Sequence, residues 1–328
     1  MSQDANSVLI QHEFKYLSGI KPTGELTIGN YLGVIKPAVQ LSNTENVLMF
    51  VADMHAFTVP QNSKEVKRHA LEIVKIFNMY KLDFFIQSHI PEHNQLGYIL
   101  EYVAKDWELR NQIQYKEKKS KETRVSLLTY PALMAADCLL YDVENILIGE
   151  DQMPHIHLMN DLVDSFEAEF GPGVFNRPVG FIGDFPKIKD LKDPEKKMSK
   201  SNGDNGCIFL FDNPEIAYRK IIGAITDGDN KVIYDVDNKP GVSNLMNIYS
   251  GLTNLTKEEI SLKYKELIYP YSSFKKDLAM IVRDFLIDFQ KDYERASSEI
   301  DKNIENFLKN KANLTLNKVK NAMGLKYE

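Results

Sequence analysis

At 328 residues, with 43% of them hydrophobic, the chain exceeds the usual reach of one core, so a main domain and a smaller companion are expected. Its net charge of −6 argues against indiscriminate binding to nucleic acid, which draws most of its affinity from phosphate neutralisation; an RNA partner would need a local basic face. The two cysteines, Cys138 and Cys207, belong to no C-x-x-C pair, and the most apolar run, Ile73 to Leu82, is broken by Lys75, Asn78 and Lys81. No zinc ribbon, iron–sulfur site, secretory core or membrane span is therefore expected, and the reading is a cytoplasmic protein with reduced thiols.

Residues 1 to 13 are polar with little periodicity, and order is expected from the strand Phe14 to Gly19. Pro22-Thr23-Gly24-Glu25-Leu26-Thr27-Ile28-Gly29-Asn30 then turns that strand into a helix, roughly Tyr31 to Leu41, whose first N–H groups can face a polyanion. Val47 to Ala52 is apolar throughout, as in a strand buried on both faces of a parallel sheet, with Asp53 and His55 just past its end. Val66, Ala70, Ile73, Val74, Phe77 and Tyr80 have helical spacing, and Phe84 to Ser88 reads as the next strand. Leu96, Ile99, Leu100 and Val103 mark another helix. Lys116 to Arg124 is the one dense charge run, an exposed loop. Val125 to Tyr141 reads as a long buried helix carrying Tyr130, Met134 and Asp137, and Ile146 to Gly149 as a further strand followed by Glu150, Asp151 and Gln152.

This alternation predicts an α/β fold with a doubly wound, Rossmann-like parallel sheet and ligands at the C-terminal strand ends. From about Ser201 the periods become helical: Ile216, Ile221 and Ile222; Leu245, Ile248 and Leu252; Ile260, Tyr264 and Leu267; then Leu278 to Phe289. A smaller all-helical domain is expected there, over 202–295 after a catalytic domain of 1–201. In 296–328 a last helix, with Leu308, Ala312, Leu316, Val319 and Met323 on one stripe, packs back on the main domain. Its lysines 309, 311, 318, 320 and 326 form either a basic face for RNA or a solvated helix surface.

Lys197-Met198-Ser199-Lys200-Ser201 carries two lysines around small residues in a polar loop, a pattern suited to migrating phosphate charge and equally found in solvated loops. Neither a Walker loop nor a G-x-G-x-x-G fingerprint occurs, so P-loop kinase and dehydrogenase readings lose their main support. In-line attack of a carboxylate on the α-phosphate of ATP fits better, because there the protein supplies positioning and charge stabilisation. Lys116, Lys197 and Lys200 would be the cations, with a magnesium ion held largely by phosphates and water. Histidine acid–base chemistry competes, since His55, His89, His93, His155 and His157 lie near strand ends.

The T-I-G-N and K-M-S-K-S strings are joined by Ala52-Asp53-Met54-His55-Ala56, by Gln87 to His93, by Tyr130 to Asp137, by Gly149-Glu150-Asp151-Gln152 and by Lys239 to Leu245. In order and spacing the chain resembles the bacterial tryptophanyl-tRNA synthetases, of class I, from Ser18 to Leu325. The resemblance implies that Gly29, Asn30, Gly149, Glu150 and Asp151 hold ATP, bordered by Lys21, Pro22, Thr23 and Ile188. Lys116 matches the mobile-loop lysine and Lys197, Met198, Ser199, Lys200 and Ser201 the pyrophosphate loop. Asp137 matches the acceptor of the indole N–H, with Tyr130, Met134, Ile146 and Ile148 as ring walls and His55 and Gln152 near the substrate amino and carboxylate groups. A buried carboxylate is costly unless paired: an indole donor would satisfy Asp137, phenylalanine would not, and an intrachain partner is the structural alternative.

Leu17 stands where the family usually has phenylalanine, and Lys21 where glutamine is common. The resemblance further implies L-tryptophan, ATP and tRNA-Trp as partners, an anticodon-reading helical domain and a homodimer. A tyrosyl enzyme of the same fold, and a synthetase-like binding protein without charging activity, are the rival readings.

Overall fold

The computed structural model describes residues 13–149, 152–183, 187–199 and 203–327. Glu150, Asp151, Lys200 and Ser201, among the residues singled out above, lie outside these ranges. The described sheet has five parallel strands: β1 (Tyr16–Ile20), β2 (Val47–Val51), β3 (Asp83–Ile86), β4 (Asn145–Leu147) and β5 (Val179–Phe181), in the order β3-β2-β1-β4-β5. All five residues of β2 are buried, as a run apolar on both sides requires.

Alternate strand residues go to opposite faces. Leu17, Leu48, Phe50, Phe85 and Ile146 enter one core, while Tyr16, Met49, Val51, Phe84 and Leu147 enter the other. Gly19 pairs with Phe50, and a Cβ there would sit 2.4 Å from the Phe50 ring, which is held stacked on Phe85 with centroids 5.3 Å apart.

The connection after β1 departs from a plain helix. A single turn, α1 (Ile28–Asn30), runs through a π-helical turn, Tyr31–Ile35, into α2 (Lys36–Ser42). Such π turns recur beside functional sites because the extra residue re-aims the side chains that follow. α3 (Asp53–Ala56) and α4 (Ser63–Met79) lead to β3; a 3₁₀ turn, Gln87–His89, then precedes α5 (Glu92–Val103), α6 (Asp106–Arg110), α7 (Ile113–Lys118) and α8 (Val125–Leu139). After β4 comes α9 (Met153–Phe170), an element additional to those expected, whose Ile156, Met159, Val163, Phe166 and Phe170 have helical spacing. Strand β5, three residues long and half-exposed, is a second addition and carries little local signal.

Beyond the sheet lie α10 (Pro214–Ile222), α11 (Pro240–Thr253), α12 (Lys257–Tyr264) and α13 (Pro270–Arg295), which match the four helical periods. Cys207 to Phe211 adds no strand to the sheet: Phe209 makes an isolated antiparallel bridge to Thr27. The core of these helices includes Ile28, Leu32, Ile188 and Met198, so both signature segments are rooted in it.

The last helix, α14 (Lys302–Ala322), sets Leu308, Ala312, Leu316 and Val319 into the core around Leu17 and Leu48. At its start Glu305, buried, accepts from Lys309 Nζ at 2.7 Å, His89 Nδ1 at 3.0 Å and Lys302 Nζ at 3.2 Å. Burial alone would raise the Glu305 carboxyl, but Lys309, His89 and Lys302 reverse this and hold it at about 2, against 4.5 ordinarily. A folded pKa below the unfolded one stabilises the fold fully above pH 4.5, and that contribution fades as pH falls towards 2. Glu305→Gln is therefore expected to cost about 2 kcal/mol at neutral pH, with the gap from the unmodified protein narrowing as pH drops to 3. Urea titrations at the two pH values check this; a gap that does not narrow refutes the ionic origin.

Candidate active site

The strand order reverses between β1 and β4, where Ser18 Oγ donates to Leu147 O at 2.9 Å. Open α/β sheets gather ligands at such a reversal, because the connections leave the two strand ends in opposite directions. Here a crevice of about 540 Å³ opens, lined by Thr27, Gly29 and Asn30 after β1, by Ile148, Gly149 and Gln152 after β4, and by Lys187, Ile188, Lys189, Lys197 and Met198. Its far wall comes from the helical region through Tyr234, Pro240, Ser243, Asn244 and Asn247.

Thr27 caps α1 reciprocally. Its Oγ1 accepts from Asn30 N at 3.3 Å, while its own N–H donates to Asn30 Oδ1 at 2.9 Å. The Ile28 N–H goes to Ile208 O at 2.9 Å. Fewer backbone donors are thus left for an anion than the bare turn suggested. Among the described residues the Asn30 Nδ2 group has no protein partner, and Asn30 lines the crevice. A Cβ on Gly29 would lie 3.4 Å from that of Ile188, so the glycine keeps the backbone open between them.

The lysine loop is built as a small clasp. Met198 N donates to Ile188 O at 3.1 Å, Asp190 N to Lys196 O at 2.9 Å, and Lys189 bridges Lys197 in antiparallel fashion. Met198 is buried in the helical core and anchors the loop, leaving Lys197 exposed beside it. Asn244 of α11 holds the same clasp by its backbone, accepting from Lys189 N at 2.7 Å and donating to Lys189 O at 2.9 Å. Lys187, Lys189 and Lys197 consequently share one wall. Three like charges on one short segment repel, and a polyphosphate relieves that repulsion.

Below the sheet ends lies a closed polar cluster. Asp137 is fully buried: Oδ1 meets His93 Nδ1 at 2.6 Å and Gln87 Nε2 at 2.8 Å, and Oδ2 meets His55 Nε2 at 2.9 Å and Gln87 Nε2 at 2.8 Å. Burial pushes the carboxyl pKa up, but the bonds from His55 and His93 outweigh it, so Asp137 stays below the usual carboxylate range. An ionised carboxylate only accepts, which places hydrogens on His55 Nε2 and His93 Nδ1. The other His93 nitrogen meets Tyr141 Oη at 2.6 Å, and Gln87 Oε1 accepts from Met54 N at 3.0 Å. Tyr130 Oη meets His155 Nε2 at 2.9 Å, with the Tyr130 and His55 rings edge to face at 6.3 Å.

The structure therefore brings together Gly29, Asn30, Gly149, Gln152, Ile148, Ile188, Lys197 and Met198 around the crevice, while His55, Tyr130 and Asp137 meet in a cluster of their own and do not line it. Ser199 follows Met198, half-buried, and Met134 is half-buried one turn before Asp137. Leu17 is fully buried beside Ile146 in adjacent strands, facing core rather than open space. Lys116 is exposed on α7 and does not line the crevice, nor do Lys21, Pro22 and Thr23. Burial lowers the Lys21 ammonium to about 8, assisted by the charge of Lys118, so the α7 lysine felt at the end of β1 is Lys118. Gln87, Tyr141, Lys187, Lys189, Asn244 and Asn247 are not assigned from sequence, and His93 is raised there only for acid–base chemistry. Gln87, His93 and Asn244 sit within the strings quoted above, yet only packing shows what they hold.

A parallel sheet in this order, with a capped glycine turn opposite an anchored lysine clasp, defines a class I aminoacyl-tRNA synthetase core. The family model described as tRNA synthetases class I (W and Y) matches residues 10–287, and the chain belongs to that family. It is 40% identical to the tryptophan–tRNA ligase of Bacillus subtilis over 324 residues, covering 94% of this chain and 97% of the relative. Among solved structures, tryptophanyl-tRNA synthetase from Mycoplasma pneumoniae superposes with a TM-score of 0.85 at 31% identity, over 95% of this chain and 98% of that one. The Campylobacter jejuni enzyme, complexed with ADP and tryptophan, superposes with a TM-score of 0.69 at 25% identity, over 94% and 97%.

Proposed function

We propose that this chain is a tryptophan–tRNA ligase: the L-tryptophan carboxylate attacks the α-phosphate of ATP, pyrophosphate leaves, and the tryptophanyl group passes from the adenylate to the terminal adenosine of tRNA-Trp with release of AMP. The observation that carries the reading is the crevice at the β1/β4 reversal, with Gly29 and Asn30 on one side and Lys187, Lys189 and Lys197 on the other. Fixed cations there stabilise charge that moves onto the leaving pyrophosphate without reorganising during the step. Gly29, Asn30, Gly149, Asp151 and Ile188 hold the nucleotide, and Lys197 and Lys200 the phosphates. Asp137, Tyr130, Met134 and Gln152 take the amino acid, and His55 sits beside that site. A magnesium ion accompanies the ATP, carried by phosphate oxygens and water.

The catalytic unit is 1–201, the helices of 202–295 read the anticodon, and 296–328 closes on the catalytic unit. The family resemblance implies a homodimer, and Tyr98 and Tyr102, one turn apart on α5 and at least 60% exposed, are candidates for its interface. No helix among the described residues is long and apolar enough to cross a membrane, in keeping with work in the cytoplasm. Amino-acid-dependent ATP–pyrophosphate exchange tests the reading: exchange with tryptophan and not tyrosine is expected. Exchange with tyrosine alone, or with neither, refutes it.

A further inference from the structure

We propose that His55 is an exchangeable occupant of the indole-recognition site: in the free protein its Nε2–H fills the Asp137 position that the indole N–H takes over when tryptophan binds. The inference rests on the tryptophan reading above. Three side chains make four donor contacts to the Asp137 carboxylate, two on each oxygen, so its acceptor positions are filled and an arriving N–H donor has to replace one of them.

They are not equally replaceable. Gln87 is fully buried and its far end is tied by the Met54 N–H at 3.0 Å. His93 is 1% exposed, tied on its second nitrogen by Tyr141 Oη at 2.6 Å and stacked on Phe85 with centroids 5.4 Å apart. His55 is 8% exposed, and among the described residues its second ring nitrogen has no protein partner. Its ring contacts Tyr130 only edge to face. Moving His55 breaks one bond and turns a ring already at the edge of solvent, whereas moving either other donor breaks two bonds inside a sealed core.

This exchange sharpens selection. An indole donor replaces His55 with no net loss at Asp137. A ring without an N–H leaves His55 in place and in the way, or displaces it and strands the buried carboxylate. Removing His55 removes the competitor.

Nuclear magnetic resonance of the full chain labelled with ¹⁵N-histidine reads the exchange directly. The His55 Nε2–H signal, assigned by its loss in His55→Ala, is expected in the free protein and expected to vanish or shift on saturation with L-tryptophan, while the His93 Nδ1–H signal stays. Calorimetry of His55→Ala is expected to give a Kd for tryptophan roughly threefold to tenfold lower than that of the unmodified protein. For 1-methyltryptophan, which lacks the N–H, the gain is expected to be at least as large, because its binding to the unmodified protein breaks the His55–Asp137 bond with nothing to replace it. Tryptophan binding with both imidazole signals unmoved overturns the exchange alone, as does a tenfold loss of tryptophan affinity in His55→Ala. Absence of tryptophan binding to the unmodified protein overturns the tryptophan reading itself. Should His55→Ala not fold, the two imidazole signals are assigned by selective Tyr141→Phe perturbation of His93 and the first measurement decides.

Discussion

Asp137→Asn is expected to lower kcat/KM for tryptophan by roughly 10²- to 10³-fold while leaving KM for ATP within about twofold. The side chain keeps its shape but loses its charge, and one oxygen becomes an N–H₂ that points at donors. Whichever way the amide turns, it confronts either His55 Nε2–H, 2.9 Å from Oδ2, or His93 Nδ1–H, 2.6 Å from Oδ1. An indole N–H then meets a site with one acceptor fewer and two histidines competing for it. The same loss strands buried donors, so a fall in stability of about 2–4 kcal/mol should accompany it. Calorimetric titration with tryptophan, pyrophosphate exchange at varied ATP and a thermal melt separate these effects. An unchanged tryptophan KM in a destabilised protein would make Asp137 a structural carboxylate only.

That experiment bears on the one place where sequence and structure part company over mechanism. A buried carboxylate between Met134 and Cys138 was legible as needing a partner, but not which one. Gln87 and His93 come from the 3₁₀ turn after β3 and from α5, 50 and 44 residues away, and nothing local announces that they converge on Asp137. The parallel strands were more legible because their signal is local: a run such as Val47 to Val51 can only be buried on both sides. Strand β5 fails that test, being three residues long and half-exposed at the sheet edge. The π turn at Tyr31–Ile35 was hidden because its pattern of apolar residues passes for an ordinary helix. The clasp at Ile188 to Ser199 depends on Asn244, 55 residues downstream of Lys189, and spacing cannot show it.

Lys197→Ala should reduce tryptophan-dependent pyrophosphate exchange by about 10²- to 10³-fold, the loss usual when one preorganised charge is removed from a transition state. The clasp should survive the change. Its anchors are Met198 in the helical core, the bond from Met198 N to Ile188 O at 3.1 Å and the two Asn244 bonds to Lys189, none of which uses the Lys197 side chain. Ground-state ATP binding keeps Lys187 and Lys189 on the same wall, so KM for ATP should rise much less than kcat falls. Tryptophan affinity should not move, since the bonds that hold Asp137 come from His55, Gln87 and His93 and none involves the lysine clasp. Lys197→Arg retains the charge with a different shape and should recover part of the rate. Single-turnover measurement of adenylate formation isolates the step: a preserved activation rate, or a loss confined to KM for ATP, would mean that Lys197 only recruits the nucleotide and that the transition-state charge is met elsewhere on the wall.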